Sequence, residues 1–319
     1  MAAIPVNVVT GFLGSGKTTL LRHVLADASY ADCAVLINEL GEIGIDHHLI
    51  EQIDGETILM RSGCVCCTIR DDLAGAIRSL HERREAGTLP PFRRLIIETT
   101  GLADPTPVLA TIMNDVVIRH HFRLGNVITT VDAVNGIGRP EAIKQVAVAD
   151  RLVLTKTDLA PDAGTLLAQI RRLNPDAPLW RAAEQAIDAA ALLDGAAHSP
   201  LRAVPAATDG PHGSVHGFAL SFEGELDWTM FGVWLTMLLN RHGEAVLRVK
   251  GILNVAGSPT PVAIHGVQHL VHPPVHMTAW PDGDRSSRLV FIVDGIDRGL
   301  IERSLRAFLQ LAAPSLAAA

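Results

Sequence analysis

The chain has 319 residues, 48% of them hydrophobic and 19% charged, with a net charge of −7; it is long enough to bury a core without disulfide or metal staples and suits roughly two domains. The acidic balance argues against a nucleic-acid partner, which normally leaves a basic footprint, and no apolar run reaches the roughly 18 residues of a membrane span. Residues 1–7 lack a basic leader region, so no signal peptide is expected, and four cysteines, three of them at 64–67, suit a reduced, cytoplasmic setting better than a disulfide framework.

Residues 4–10 form a short β-branched run that reads as a buried strand. A glycine-rich turn at 11–16 and a helical stretch at 17–26 follow. Further apolar runs at 34–38, 94–98, 127–131 and 152–154 have helical patterns between some of them. In one, Leu73, Ala76, Ile77 and Leu80 recur at helical spacing behind Asp71 and Asp72, which can cap it. Strands alternating with helices predict an α/β domain over 1–194, a mostly parallel sheet flanked by helices. Residues 195–215, rich in Ala, Pro, Gly and Ser, read as a linker. Beyond it lie strand patterns at 216–222, 245–255, 262–270 and 288–293. A helix carries Trp228, Phe231, Leu235 and Leu238 on one face, and another closes the chain at 301–311. Together they predict a smaller C-terminal α+β domain over 216–319 with mainly antiparallel pairing.

The run Gly11-Phe12-Leu13-Gly14-Ser15-Gly16-Lys17-Thr18 fits G-x-x-x-x-G-K-[ST] between a strand and a helix. Its glycines let successive N–H groups point at anionic oxygens, and the helix N-terminus adds a positive dipole end. Lys17 is expected to reach the β- and γ-phosphates of a nucleoside triphosphate, and the Thr18 hydroxyl to ligate Mg²⁺. A later strand ends in Thr155-Lys156-Thr157-Asp158. A carboxylate at Asp158 can accept from guanine N1–H and the exocyclic amine, whereas adenine leaves it unpaired, so GTP is favoured. The stem of Lys156 can lie over the base. The strand at 94–98 ends in Glu98, placed to complete the Mg²⁺ shell through a bound water, and Gly101 can bring its N–H to the γ-phosphate.

Cys64, Cys66 and Cys67 put three thiols on a short loop. Thiolates are soft ligands that suit Zn²⁺ and also Cu(I). Three sulfurs leave one tetrahedral position for water, a carboxylate, a histidine or a client protein, which fits a site that releases its metal. A redox pair and a buried apolar cluster are the other readings of these thiols.

With these motifs the sequence resembles the CobW-like metallochaperones, a family of P-loop GTPases. The resemblance rests on residues 11–19, on the Asn-Glu-Leu-Gly-Glu-Ile-Gly-Ile-Asp run at 38–46, on the cysteines, and on Glu98 through Pro105. The segment from about His216 looks like the family's second domain. The resemblance implies GTP hydrolysis coupled to delivery of zinc or cobalt to a client metalloprotein, with the cysteines carrying the metal. It implies that 38–46 is a switch loop bringing Glu39 and Glu42 near both metal and nucleotide. Glu98 and Gly101 would form a second switch, and Thr19 would join the nucleotide site. No glutamine stands where one would position the attacking water, which leaves Glu42 as the candidate. The family's base motif normally begins with Asn; Thr155 is shorter and has no amide to brace the phosphate loop.

Several histidines tempt. His265 and His269 would share one side of a strand, with His272 and His276 nearby, as a surface cluster or an accessory metal or docking site. His47 and His48 follow the switch loop and could complete the metal shell. His120 and His121 are equally ambiguous. Three other readings stay open: a P-loop ATP-dependent kinase of a small metabolite, a metal sensor or zinc store with a vestigial nucleotide site, and a cobalamin-synthesis protein or activator of a single metalloenzyme. An incomplete metal shell also leaves room for a bridged homodimer.

Overall fold

The computed structural model describes residues 3–30, 32–37, 50–52, 57–60, 65–68, 72–160, 162–182, 187–194, 215–281 and 283–312. They fall into two compact units, residues 1–168 with 177–197 and residues 169–176 with 198–319. The elements begin with β1 (Ile4–Gly11), α1 (Lys17–Leu25), β2 (Cys33–Ile37), β3 (Ile50–Gln52), β4 (Thr57–Met60), β5 (Val65–Thr68), α2 (Leu73–Glu85) and β6 (Arg94–Glu98). They continue with α3 (Thr106–Asn114), α4 (Ile118–His121), β7 (Phe122–Asp132), α5 (Pro140–Val148), β8 (Arg151–Thr155), α6 (Gly164–Leu173), β9 (Leu179–Arg181) and α7 (Ala189–Leu193).

The first unit is built on one nine-stranded sheet in the order β3-β4-β5-β2-β6-β1-β7-β8-β9. From β5 to β9 every neighbouring pair is parallel, and β3 and β4 add an antiparallel edge. Parallel strands need crossovers, which place helices over both faces and bury the strands on both sides. One layer joins Val9, Ile96, Ile128 and Val153 of the sheet to Leu20, Leu21 and Val24 of α1 and Leu192 of α7. The alternate residues Val8, Leu95 and Ile97 are equally buried and face the other way. The chain leaves β1 for β2 on one side and later adds β7 on the other. Such a reversal opens a crevice at the carboxyl ends of the strands, where α/β sheets bind ligands. Gly11, Glu98, Asp132 and Thr155 end four adjacent strands there.

Two readings of the sequence need correction here. The cysteines were expected on a loop, but Cys66 and Cys67 lie within β5, paired with Val35 and Leu36 of β2 on one side and with Ile58 and Thr57 of β4 on the other. The four-residue run Val-Cys-Cys-Thr is too short to announce a strand; the partner strands complete it. Cys64 lies outside the described residues. His265 and His269 do not share a strand either. His265 is in β12 (Val262–Val267), whereas His269 occupies the turn to β13 (Leu270–Val271), entered by Gln268 at φ 50°.

In the second unit, β10 (Val215–Phe222), β11 (Val246–Leu253), β12, β13, β14 (Val275–His276) and β15 (Ser287–Asp294) pair antiparallel throughout. Helices α8 (Trp228–His242) and α9 (Arg298–Ala312) supply Phe231, Leu235, Leu238, Ile301 and Leu305 to its core. Trp228, expected on that face, is 39% exposed at the first turn, and Trp234 takes the buried place instead, its Nε1 donating to Ser304 Oγ at 3.1 Å.

Helix α2 starts where the sequence placed it: the Asp72 side chain accepts from Gly75 N at 2.9 Å, and Ile77 and Leu80 are buried. Asp72→Ala is expected to lower unfolding stability by about 1 kcal/mol, read as a lower denaturant midpoint at unchanged slope.

Candidate functional site

The phosphate loop hangs from the end of β1. Gly11 has φ 143°, and a Cβ there would press into the side-chain and main-chain oxygens of Thr130 on β7, so only glycine fits. Gly14 and Gly16 follow with φ 70° and 90°, turning the chain into α1. Ser15 is buried, its Oγ 2.6 Å from Thr130 Oγ1. Lys17 is buried and donates to Gly11 O at 3.1 Å, so its ammonium lies inside the curl of the loop. Thr18 is half-buried and Thr19 exposed.

Thr18 Oγ1 donates to Glu98 Oε1 at 2.9 Å, and Glu98 is 1% exposed. A hydroxyl and a carboxylate side by side at the mouth of a phosphate loop form a hard oxygen pair of the kind that holds Mg²⁺ beside phosphates. Thr99 Oγ1 donates to Thr10 Oγ1 at 2.8 Å and ties the ends of β6 and β1 together. Gly101 is buried against the loop: a Cβ on it would sit 2.6 Å from Leu13 N. The carbonyls of Gly101 and Ala103 accept from Gln145 Nε2 on α5 at 3.2 and 3.0 Å.

The other end of the site overturns one expectation. Thr155 does brace the phosphate loop: its Oγ1 donates to Ser15 O at 2.8 Å. The strand end comes close enough that a hydroxyl suffices where an amide would reach from further away; Gly16 has space for a Cβ only 3.3 Å from Thr155 Cγ2. In a trans peptide N–H points opposite to C=O, so fixing Ser15 O outward turns the Gly16 N–H toward the inside of the curl. Lys156 follows at φ 55°, and its Nζ donates to Asp132 Oδ2 at 2.6 Å. Asp132 is 4% exposed and also accepts from Val134 N, Asn135 N and Asn135 Nδ2. Burial pushes the Asp132 carboxyl up, but the Lys156 ammonium and these three donors outweigh it and hold it below the usual carboxylate range. Asp158 is exposed in the turn after Lys156.

Glu39, Glu42, His47 and His48 lie outside the described residues, as does Cys64, and of Cys66 and Cys67 the backbone alone is described. Register nevertheless relates the cysteine strand to the site. Cys67 pairs with Leu36, which pairs with Ile97, and Thr68 pairs with Ile37, which pairs with Glu98. β5 is thus two strand spacings from β6, about 10 Å. Among the described residues no group of three or more His, Cys, Asp or Glu is arranged to hold a metal. His121 packs against His81 of α2 with ring centroids 3.9 Å apart, and His120 packs edge-on against His121 at 4.8 Å. Burial and the neighbouring His121 hold the His81 pKa down. His265 and His272 face across the hairpin with centroids 6.0 Å apart.

A family model described as the CobW/HypB/UreG nucleotide-binding domain matches residues 5–181, and the cobalamin synthesis protein cobW C-terminal domain matches residues 215–309. The chain belongs to the CobW/HypB/UreG family. Within that family it is 32% identical to the zinc chaperone YjiA of Escherichia coli, over 96% of this chain and 98% of that one. It is 29% identical to the zinc chaperone CobW of Pseudomonas aeruginosa, over 97% and 92% of the two chains. The crystal structure of Zn(II)-bound YjiA GTPase from E. coli superposes with a TM-score of 0.79 at 31% identity, over 97% and 99% of the chains.

Asp132 and Gln145 escaped the sequence reading. A signal for Asp132 existed: Val131-Asp132 ends an apolar strand in an acid, as Ile97-Glu98 does. Gln145 carries no comparable mark, since a polar residue in a helix normally reads as solvent-facing.

Asp132→Asn removes the charge facing Lys156 and is expected to weaken guanine-nucleotide binding about tenfold with the fold retained, by fluorescent-nucleotide titration. Because the Asp132 pKa is depressed on folding, its contribution to stability is present above its unfolded value, 3.8, and is lost progressively as pH falls from there through the lower folded value. Acid unfolding curves of the two proteins are expected to converge only below that folded value.

Proposed function

We propose that this protein is a GTPase metallochaperone, coupling GTP binding and hydrolysis to transfer of a metal ion, zinc before cobalt, to a client metalloprotein. The observation that carries the reading is the Thr18–Glu98 contact at the mouth of the phosphate loop, whose Glu98 ends a strand of the same sheet as the cysteine strand, two strands away from it. Zinc is supported by the three neighbouring cysteines and by the relatives named as zinc chaperones. The metal is cargo here, and Cys64, Cys66 and Cys67, with Glu39 and Glu42 on the switch loop, are its proposed carriers.

In this reading Gly11, Gly14, Ser15, Gly16, Thr18 and Thr19 wrap the phosphates with main-chain N–H groups, and Lys17 lies against the β/γ bridge. Lys156 and Asp158 take the guanine, with the Lys156 head anchored by Asp132. Thr18 and Glu98 would hold Mg²⁺, which when bound neutralises charge on the β- and γ-phosphates. Gly101 presents its N–H to the γ-phosphate, and Glu42 orients the attacking water. Lys17 then stabilises the charge that develops on the transferred group. Residues 38–46 and 98–104 order around the triphosphate and relax after hydrolysis. The nucleotide-bearing domain is 1–194, joined through 195–215 to a domain at 216–319. Among the described residues no helix is long and apolar enough to cross a membrane. We further propose a cytoplasmic location, supported by the clustered thiols, and a homodimer bridged at the incomplete metal shell.

If metal and nucleotide are coupled, each changes the affinity of the other by the same factor. Zn²⁺ affinity, measured by competition with a chromophoric chelator, is expected to differ between the Mg·GDP form and the form with a slowly hydrolysed GTP analogue by about five- to 150-fold. Changing Cys64, Cys66 and Cys67 together to Ala is expected to abolish that binding while GTP affinity stays. Equal Zn²⁺ affinity in the two nucleotide states refutes the coupling.

A further inference from the structure

Gln145 is a polar side chain with no exposure, set in α5 beneath residues 101–104. Its main-chain carbonyl accepts from Thr129 Oγ1 of β7 at 2.8 Å, which fixes the helix to the sheet at this point. Its side-chain Nε2 donates to two carbonyls of the same loop, those of Gly101 and Ala103. The preceding residue grips the loop as well, Lys144 Nζ reaching Asp104 Oδ2 at 3.4 Å. Between Thr99, which is tied to β1, and Asp104, which caps Thr106 N, the loop's own bonds are local: Ala103 N donates to Thr100 O at 3.1 Å, and Leu102 N to Thr100 Oγ1 at 3.3 Å. Gln145 thus ties two carbonyls of this loop to α5, in a segment whose Gly101 lies directly on the backbone of Leu13 in the phosphate loop.

Two buried oxygens at this segment have no hydrogen-bond partner among the described residues, Gln145 Oε1 and Thr106 Oγ1. Buried polar atoms are normally paired. A carboxamide offers two donors and an acceptor at once, whereas a carboxylate offers acceptors only and an ammonium donors only. With its donors spent on Gly101 and Ala103, the amide keeps a buried acceptor that no described residue uses.

We propose that Gln145 is the positioning residue of the 98–104 loop: by holding the Gly101 and Ala103 carbonyls it sets Gly101 against the phosphate loop, and so sets how strongly the site prefers a triphosphate to a diphosphate. This rests on reading 98–104 as the γ-phosphate sensor. Gln145 acts only through the loop carbonyls it holds. Its effect is confined to the end of the nucleotide that the loop reaches.

The test is nucleotide titration of the full chain with Mg·GDP and with a slowly hydrolysed Mg·GTP analogue, for wild type, Gln145→Met and Gln145→Glu, after thermal melting shows which are folded. Gln145→Met is expected to lose roughly tenfold in analogue affinity while GDP affinity stays within about twofold. Gln145→Glu, nearly the same shape, is expected to show the same loss at pH 8 and to recover part of it toward pH 5.5, where the buried carboxyl regains a proton to donate. It carries the test by itself if Gln145→Met does not fold. Equal loss for both nucleotides means a merely structural role and overturns the proposal, as does unchanged analogue affinity in a folded variant. A wild type that binds guanine nucleotides without responding to the γ-phosphate overturns the sensor reading instead, and is recognised before any variant is compared.

Discussion

Gly11 meets Thr130 with no room for a side-chain carbon, and that contact fixes where β1 stops being a strand and starts being a loop. The strand before it is held on both sides by parallel partners, β6 and β7. The helix after it is anchored by Leu20, Leu21 and Val24 in the core. Between the two, the chain has to turn within a few residues, and left-handed glycines at 14 and 16 let it do so. Everything that reads a phosphate depends on this junction, because the N–H groups that would face the anion belong to the turn itself.

Around that junction the sheet sends in one support from each neighbouring strand end. Glu98 of β6 takes the Thr18 hydroxyl, Thr130 of β7 meets Ser15, and Thr155 of β8 holds the Ser15 carbonyl. Thr130 and Thr155 are short polar side chains on rigid backbone, so little conformational freedom is lost in aiming them, whereas the longer Glu98 is held by its burial. Lys156 is a contrasting case, a long flexible cation made definite by a buried carboxylate at the end of the adjacent strand. The pair is one-third exposed at the lysine and closed at the aspartate. Its value lies in direction more than in stability, since a partly exposed ion pair contributes little net energy.

The parallel sheet, the phosphate loop, the α2 cap and the antiparallel second unit were legible because each has a local mark: β-branched runs, glycines at fixed spacing, an acid ahead of a helical stripe. What escaped were relations across the sheet. Nothing local tells that Thr155 ends near enough to Ser15 for a hydroxyl to bond, so the absence of Asn at that position read as a missing brace. Strand register, not residue type, brings Asp132 opposite Thr155 and so beside Lys156. Gln145 was invisible because its amide N–H groups donate to loop carbonyls 42 and 44 residues away in sequence. The cysteine run misled for the reverse reason: its chemistry is so conspicuous that its backbone role went unread.

That backbone role has a mechanical side. Cys66 and Cys67 are flanked by ladders on both sides, to β2 within the parallel body of the sheet and to β4 at its rim. A residue in a ladder cannot swing as a tether does; its neighbours travel with it. Any change in the spacing of that segment must come from sliding β5 along β2 or from parting it from the rim. The rim is the softer side, since β3 is three residues long and β4 four, and short edge strands are the least cohesive part of a sheet. Backbone set between the two is tied firmly to the parallel body and lightly to the edge, so a displacement of that segment is taken up at β3 and β4 before it reaches the strands that end in Gly11, Glu98 and Thr155.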